Sequence, residues 1–185
     1  MLVGAVLCGG RSSRMGTDKA LLPVDGVPMA RRVADALTAA GCDDVVALGG
    51  DAAALRDLGL ATVPDEWPGE GPVGGVLTAL RARPAAVNVA VVACDLPYLT
   101  ATTVRSLLAA LDGAPGAALA VARTDRLEPM CAVWRHGATG ALEAAMAAGE
   151  RRLHAVIGGL TAVEVDVPPA DLANINAPGD LQSRL

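Results

Sequence analysis

Residues 1–19 read MLVGAVLCGGRSSRMGTDK, and the junction inside this stretch decides the fold. Leu2 to Cys8 form a continuous apolar run, the pattern of a strand buried on both faces of a parallel sheet. No Lys or Arg precedes the run and a large Leu7 stands before Cys8, so it reads as a strand and not as a secretory leader. The chain then enters a loop of glycines, serines and cations through Gly9, Gly10, Arg11, Arg14, Gly16 and Lys19. Glycines let backbone N–H groups close on an anion while cations offset its charge, so the loop predicts an oligophosphate ligand. Gly10 and Gly16 enclose five residues, and Thr17-Asp18 separates Gly16 from Lys19, which excludes a P-loop. The dinucleotide fingerprint G-x-G-x-x-G is absent as well.

Outward from this junction, further apolar runs follow at residues 44–50, 61–64, 87–93, 116–122, 130–134 and 161–167, giving about seven strands. Helical spacing fills the intervals, as in Met29, Val33, Leu37 and Ala40, or Val104, Leu107, Leu108 and Leu111 behind a capping Thr100. Strands alternating with helices predict a three-layer α/β/α, Rossmann-like fold with a mostly parallel mixed sheet. No linker, repeat or low-complexity segment divides the chain, so residues 1–185 are expected to form one domain. Ligands of such sheets bind beyond the carboxyl ends of the strands, which directs attention to the loops after residues 8, 50, 64, 93 and 134.

Composition narrows the function. The chain has 185 residues, of which 52% are apolar, enough for a substantial core. A net charge of -5 and only three aromatic residues, Trp67, Trp134 and Tyr98, disfavour nucleic-acid binding, which needs a basic face or stacking platforms. No apolar stretch is long enough to span a bilayer, so no membrane partner is expected. Cys8, Cys42, Cys94 and Cys131 are dispersed without a C-x-x-C pair and suit reduced thiols in a cytoplasmic protein. The two histidines, His136 and His154, fall in or near helical segments, and no Ser-His-Asp arrangement is apparent.

Leu7 to Lys19 reads L-x-G-G-x-S-x-R-M-G-x-D-K and continues as Ala20-Leu21-Leu22-Pro23-Val24-Asp25-Gly26-Val27-Pro28-Met29. This resembles the signature of the nucleotidyltransferases that build dinucleotide forms of the molybdenum cofactor, most nearly the guanylyltransferases. The resemblance continues at Val63-Pro64-Asp65, Gly71-Pro72-Val73-Gly74-Gly75, Ala93-Cys94-Asp95-Leu96-Pro97-Tyr98, Ala148-Gly149-Glu150-Arg151-Arg152-Leu153 and Asn174-Ile175-Asn176-Ala177-Pro178. It implies transfer of GMP from Mg-GTP to the terminal phosphate of molybdopterin with release of pyrophosphate. Related enzymes use CTP or sugar phosphates and share part of the pattern. A noncatalytic carrier of molybdopterin or nucleotide is the reading from another class.

Asp95 directly follows the apolar run 87–93 and Cys94, where a strand delivers a carboxylate to the ligand edge, and it is the expected ligand of Mg²⁺. Lys19 and Arg14 are the candidates for neutralising the triphosphate. By resemblance, Leu7, Cys8, Gly9 and Gly10 lie against the nucleotide, with Gly10 favouring a purine, while Asp65 and Gly71 lie near ribose and base. The resemblance assigns Arg151, Arg152, Asn174 and Asn176 to the acceptor. It also implies transient contact with molybdenum-insertion proteins or apo-molybdoenzymes. Relatives often carry Asn where this chain has Ala47.

Overall fold

The computed structural model describes residues 1–9 and 18–175, so Gly10, Arg11, Arg14 and Asn176 lie outside the described residues. The elements run β1 (Leu2–Leu7), a short hairpin of β2 (Pro23–Val24) and β3 (Val27–Pro28), α1 (Met29–Ala40), β4 (Asp44–Leu48), α2 (Ala52–Asp57) and β5 (Ala61–Val63). They continue with α3 (Pro72–Ala82), β6 (Asn88–Ala93), α4 (Ala101–Asp112), β7 (Leu119–Arg123), β8 (Leu127–Arg135), α5 (Thr139–Ala147), α6 (Leu153–Gly158) and β9 (Ala162–Asp166). Thr100 caps α4 as its sequence position predicts, its side chain accepting from the Thr103 amide.

The seven long strands form one sheet in the order β5-β4-β1-β6-β8-β7-β9. All pairings are parallel except those of β8, which runs against both β6 and β7. Side chains along β1 alternate between two apolar layers. Leu2 and Val6 join Leu37 of α1 and Leu107 of α4, whereas Val3, Ala5 and Leu7 join Leu80 of α3, Leu142 of α5 and Ile157 of α6. A sheet with helices on both faces is the three-layer architecture expected. Among the described residues no helix is long and apolar enough to cross a membrane.

The reversal of β8 corrects one expectation. Its carboxyl end, Trp134-Arg135, pairs with the start of β6 and lies at the edge away from the other strand ends. The ligand edge instead receives the beginning of β8. There the β7 pairing skips from Val121↔Ala132 to Ala122↔Glu128, a bulge that contains Pro129 and Met130. Proline cannot donate to a ladder and is tolerated at such a bulge.

Gly4, in the middle of β1, sets the distance between sheet and helix. A Cβ there would lie 3.1 Å from the Leu37 Cβ and 3.1 Å from Val45 Cγ2. We expect Gly4→Val to lower the unfolding free energy by about 1–3 kcal/mol through overpacking, measured by urea denaturation.

Candidate active site

Strand ends, not one continuous segment, build a cavity of about 950 Å³. Leu7, Cys8 and Gly9 come from the end of β1, Leu48, Gly50 and Asp51 from β4, and Ala93, Cys94 and Asp95 from β6. The loop after β5 contributes Asp65, the entry to α3 contributes Gly69 to Pro72, and Met130 projects from the bulge in β8. The cavity straddles β1, from which the chain moves outward to β4 on one side and later returns to β6 on the other. This is the switch point at which open α/β sheets bind ligands.

Lys19 opens a single 3₁₀ turn, Lys19–Leu21, that returns the chain to the sheet after the glycine loop. Its Nζ donates to Asp95 Oδ2 at 2.8 Å, joining the end of the β1 loop to the end of β6. Only 13% of the Lys19 side chain and 27% of the Asp95 side chain is exposed, so the pair sits in the cavity wall and not on open surface. Asp18 holds the turn from both sides: Oδ1 accepts from the Ala20 amide at 3.0 Å and Oδ2 from the Asp51 amide at 2.9 Å. Asp51 in turn caps α2 by accepting from the Ala53 and Ala54 amides.

The backbones of β1 and β4 meet closely beyond their ladder. The amides of Cys8 and Gly9 both donate to Leu48 O, at 2.8 and 3.1 Å. Those amides are therefore engaged within the sheet, and Gly9 brings no side chain to the cavity it lines. Gly49 has φ +69°, and a Cβ there would stand 2.9 Å from Gly9 Cα, so glycine is required on both counts. Asp65 Oδ1 accepts from the Trp67 amide and the Thr78 hydroxyl, at 3.0 and 3.2 Å, while its Oδ2 lies 3.9 Å from the position a Gly9 Cβ would take.

The profile described as MobA-like NTP transferase domain matches residues 4–165. The chain belongs to the MobA-like NTP transferase family. It is 37% identical to the probable molybdenum cofactor guanylyltransferase of Chloroflexus aggregans, over 98% of this chain and 92% of that relative. Against the molybdenum cofactor guanylyltransferase of Rhodobacter capsulatus it is 37% identical, over 97% of this chain and 93% of the relative. Among solved structures, molybdopterin-guanine dinucleotide biosynthesis protein A of Archaeoglobus fulgidus superposes with a TM-score of 0.76 at 25% identity, covering 99% of this chain and 96% of the other.

In this MobA-like chain, Leu7, Cys8, Gly9, Lys19, Asp65, Gly71, Asp95 and Arg151 all line the cavity. Arg151 closes one side of it: Nε donates to Glu70 Oε2, and Nη1 donates to Met146 O at 2.9 Å. Its neighbour Arg152 points away, with 81% of its side chain exposed, and pairs with Glu150. Asn174 is exposed and is not a lining residue, although the next amide, Ile175 N, donates to Asp95 O at 3.0 Å and ties this segment to the metal-candidate loop. Ala47 is fully buried in the layer that packs against α1 and is not a lining residue, so polar contacts near this strand end fall to Gly50 and Asp51.

Sequence reasoning gave no role to Asp18, Met130 or Arg32. Asp18 stood inside the quoted motif, and its place one residue before a short turn is the signal of a cap. Arg32 lies remote in sequence from all site residues, on α1, yet its Nε donates to Pro97 O at 2.9 Å and its Nη1 to Val24 O at 3.2 Å. Its guanidinium also lies 5.7 Å from the Tyr98 ring centre, a cation–π distance. It thus clasps the loop carrying Asp95 to the hairpin that follows Lys19.

Arg32→Met keeps the apolar stem but leaves two part-buried carbonyls without their donor. We expect a loss of about 1–3 kcal/mol in thermal or urea unfolding and faster amide exchange at Leu96, with Arg32→Lys recovering only part of both.

Glu150 supplies a pH signature. The Arg152 guanidinium, aided by the Arg152 and Arg151 amides, holds its carboxyl down from 4.5 to about 2. The unfolded chain binds this proton more readily than the folded one, so the stabilisation is complete above pH 4.5 and is lost as pH falls through about 2. Unfolding of Glu150→Gln and the parent, compared across this window, should differ at neutral pH and converge toward pH 2, with a smaller gap in high salt.

Proposed function

We propose that this single nucleotidyltransferase domain transfers GMP from GTP to the terminal phosphate of molybdopterin, releasing pyrophosphate and forming the guanine dinucleotide of the cofactor. The observation that carries the reading is the Lys19–Asp95 pair at 2.8 Å, set at the carboxyl ends of β1 and β6 in a chain whose full-length relatives bear that activity in their names.

The donor set fits a magnesium nucleotide. Five carboxylates among the described lining residues, Asp18, Asp51, Asp65, Glu70 and Asp95, outnumber the cations Lys19 and Arg151. Such a wall suits a triphosphate that arrives with its own divalent cation. Among the described residues no group of three or more His, Cys, Asp or Glu side chains is placed to hold a metal ion, and magnesium needs only one or two protein oxygens beside phosphate and water. Asp95 would hold Mg²⁺, which when bound neutralises phosphate charge.

The chain's own residues supply the rest. Lys19, oriented by Asp95, places an ammonium where negative charge grows on the α-phosphoryl group and the departing pyrophosphate. Arg14 shares that role in the proposal. A phosphate monoester is largely dianionic at neutral pH, so the attacking acceptor oxygen needs no general base, and alignment of the two substrates carries the rate. The Asp65 carboxylate lines the cavity and accepts hydrogen bonds, which supports recognition of the donating N–H groups of guanine. Arg151, which lines the cavity, is assigned to the acceptor phosphate, and Arg152, Asn174 and Asn176 are further acceptor candidates of the same proposal. Product hand-over to a molybdenum-insertion protein or an apo-molybdoenzyme in the cytoplasm belongs to the same proposal.

Calorimetric titration with GTP, CTP and ATP in Mg²⁺, followed by turnover with molybdopterin, tests the reading. GTP should bind selectively, and Lys19→Ala should lower kcat by roughly 10²–10³-fold, the cost of one missing electrostatic donor at a reacting phosphoryl group. Selective CTP binding would make the protein a cytidylyltransferase, and binding of molybdopterin without pyrophosphate release would make it a carrier.

A further inference from the structure

We infer that Cys8 and Cys94 form a closely apposed dithiol in the cavity wall, a binding site for trivalent arsenic oxoacids and their organic derivatives. Strands β1 and β6 run parallel and in register up to Leu7↔Ala93. The Cys94 amide then donates to Leu7 O at 3.1 Å, which carries the ladder one step further and sets Cys8 beside Cys94. Neighbouring strands are about 4.8 Å apart, and both residues belong to the apolar layer on the same face of the sheet. Both thiols line the cavity, and Cys94 is the neighbour that acts most strongly on the Cys8 thiol. The other two cysteines offer no such pair: Cys42 follows α1 and Cys131 lies in β8, and neither is a lining residue of the cavity.

The geometry selects the ligand. A disulfide needs its two sulfurs bonded at about 2.05 Å with a Cβ–S–S–Cβ dihedral of about 90°, so the thiols would have to leave contact distance and turn to close one. Disulfide chemistry also begins with a thiolate, and the neighbouring Cys94 thiol, burial and the nearby Asp18 all push the Cys8 thiol upward, against ionisation. Trivalent arsenic has neither requirement. It bridges two sulfurs that remain at contact distance, and it reacts with neutral thiols. Two As–O bonds break, two As–S bonds form, and each thiol proton leaves with a displaced oxygen as water, with no change of oxidation state. The third arsenic substituent projects into the open volume of the cavity. If the cavity holds the nucleotide as proposed above, arsenical and nucleotide exclude one another.

Phenylarsine oxide is the probe. The intact chain should take up one phenylarsenic group bound to two sulfurs, read by intact mass, with Cys8 and Cys94 shielded from subsequent alkylation. Apparent affinity should fall at least about 100-fold in Cys8→Ala and in Cys94→Ala, the usual gain of a linked second site, and be unchanged in Cys42→Ala. Circular dichroism establishes that each variant is folded. Unchanged affinity in folded Cys8→Ala, or a label on Cys42 or Cys131, would overturn the inference. Added Mg-GTP should slow labelling of the intact chain. Bridged labelling that Mg-GTP leaves untouched would count against the nucleotide reading of the cavity and would leave the dithiol site standing.

Discussion

Strand β1 is buried along its whole length and is paired in parallel on both sides, with β4 through Val3 to Leu7 and with β6 through Leu2 to Leu7. Its backbone groups lie in an apolar layer where water cannot replace a missing partner, so the two ladders hold β4 and β6 in fixed alignment. That alignment brings three strand ends to one place: Cys8-Gly9, Gly49-Gly50 and Cys94-Asp95. The cavity exists because these ends coincide, and the large apolar layers on either face keep them from sliding.

Polar side chains then lock the loops that leave this edge. Asp18 fastens the return of the glycine loop to the β4 loop, Arg32 fastens the Asp95 loop to the hairpin, and Glu70 fastens the α3 entry to Arg151. Each fastening joins segments distant in sequence, and each acts through a charged group hydrogen-bonded to backbone or to an opposite charge. The Lys19–Asp95 pair joins the same set, with both side chains in the cavity wall and mostly shielded from solvent, while carboxylates outnumber cations among the described lining residues.

Most of the fold was legible because apolar runs mark strands, and the seven candidate runs correspond to the seven strands of the sheet, from β1 and β6, buried throughout, to the partly exposed edge strands β5 and β9. The short β2–β3 hairpin was not legible, since two-residue strands flanking Asp25-Gly26 carry almost no periodic signal. Nor was the direction of β8. Apolarity of Met130 to Trp134 is the same whichever way a strand runs, and Glu128 and Pro129 hid the strand's true beginning within a bulge. For the site, the placement of Asp95 at a strand end was readable from the apolar run before it, whereas Asp65, two residues past β5, came from the resemblance, and both line the cavity. Residues that act by supporting others were not readable, because Arg32 touches the Asp95 loop only after α1 has packed against the sheet. Adjacent Arg151 and Arg152 are alike in sequence and differ in place because only one of them turns inward to Glu70.

The reversed β8 has a further consequence for how this protein can change. Its tight connection with β7, closed by Thr124 N donating to Arg126 O at 2.9 Å, lies at the cavity edge and not at the far edge of the sheet. A hairpin tip can be lengthened without shifting the registers behind it. Insertions between Arg123 and Leu127 would therefore add to the edge of the sheet on which the cavity opens while leaving β1, β4 and β6 as they are. The shape of this edge and folding stability can be selected separately in such an arrangement, and lineages can diversify at this tip with the sheet unaltered.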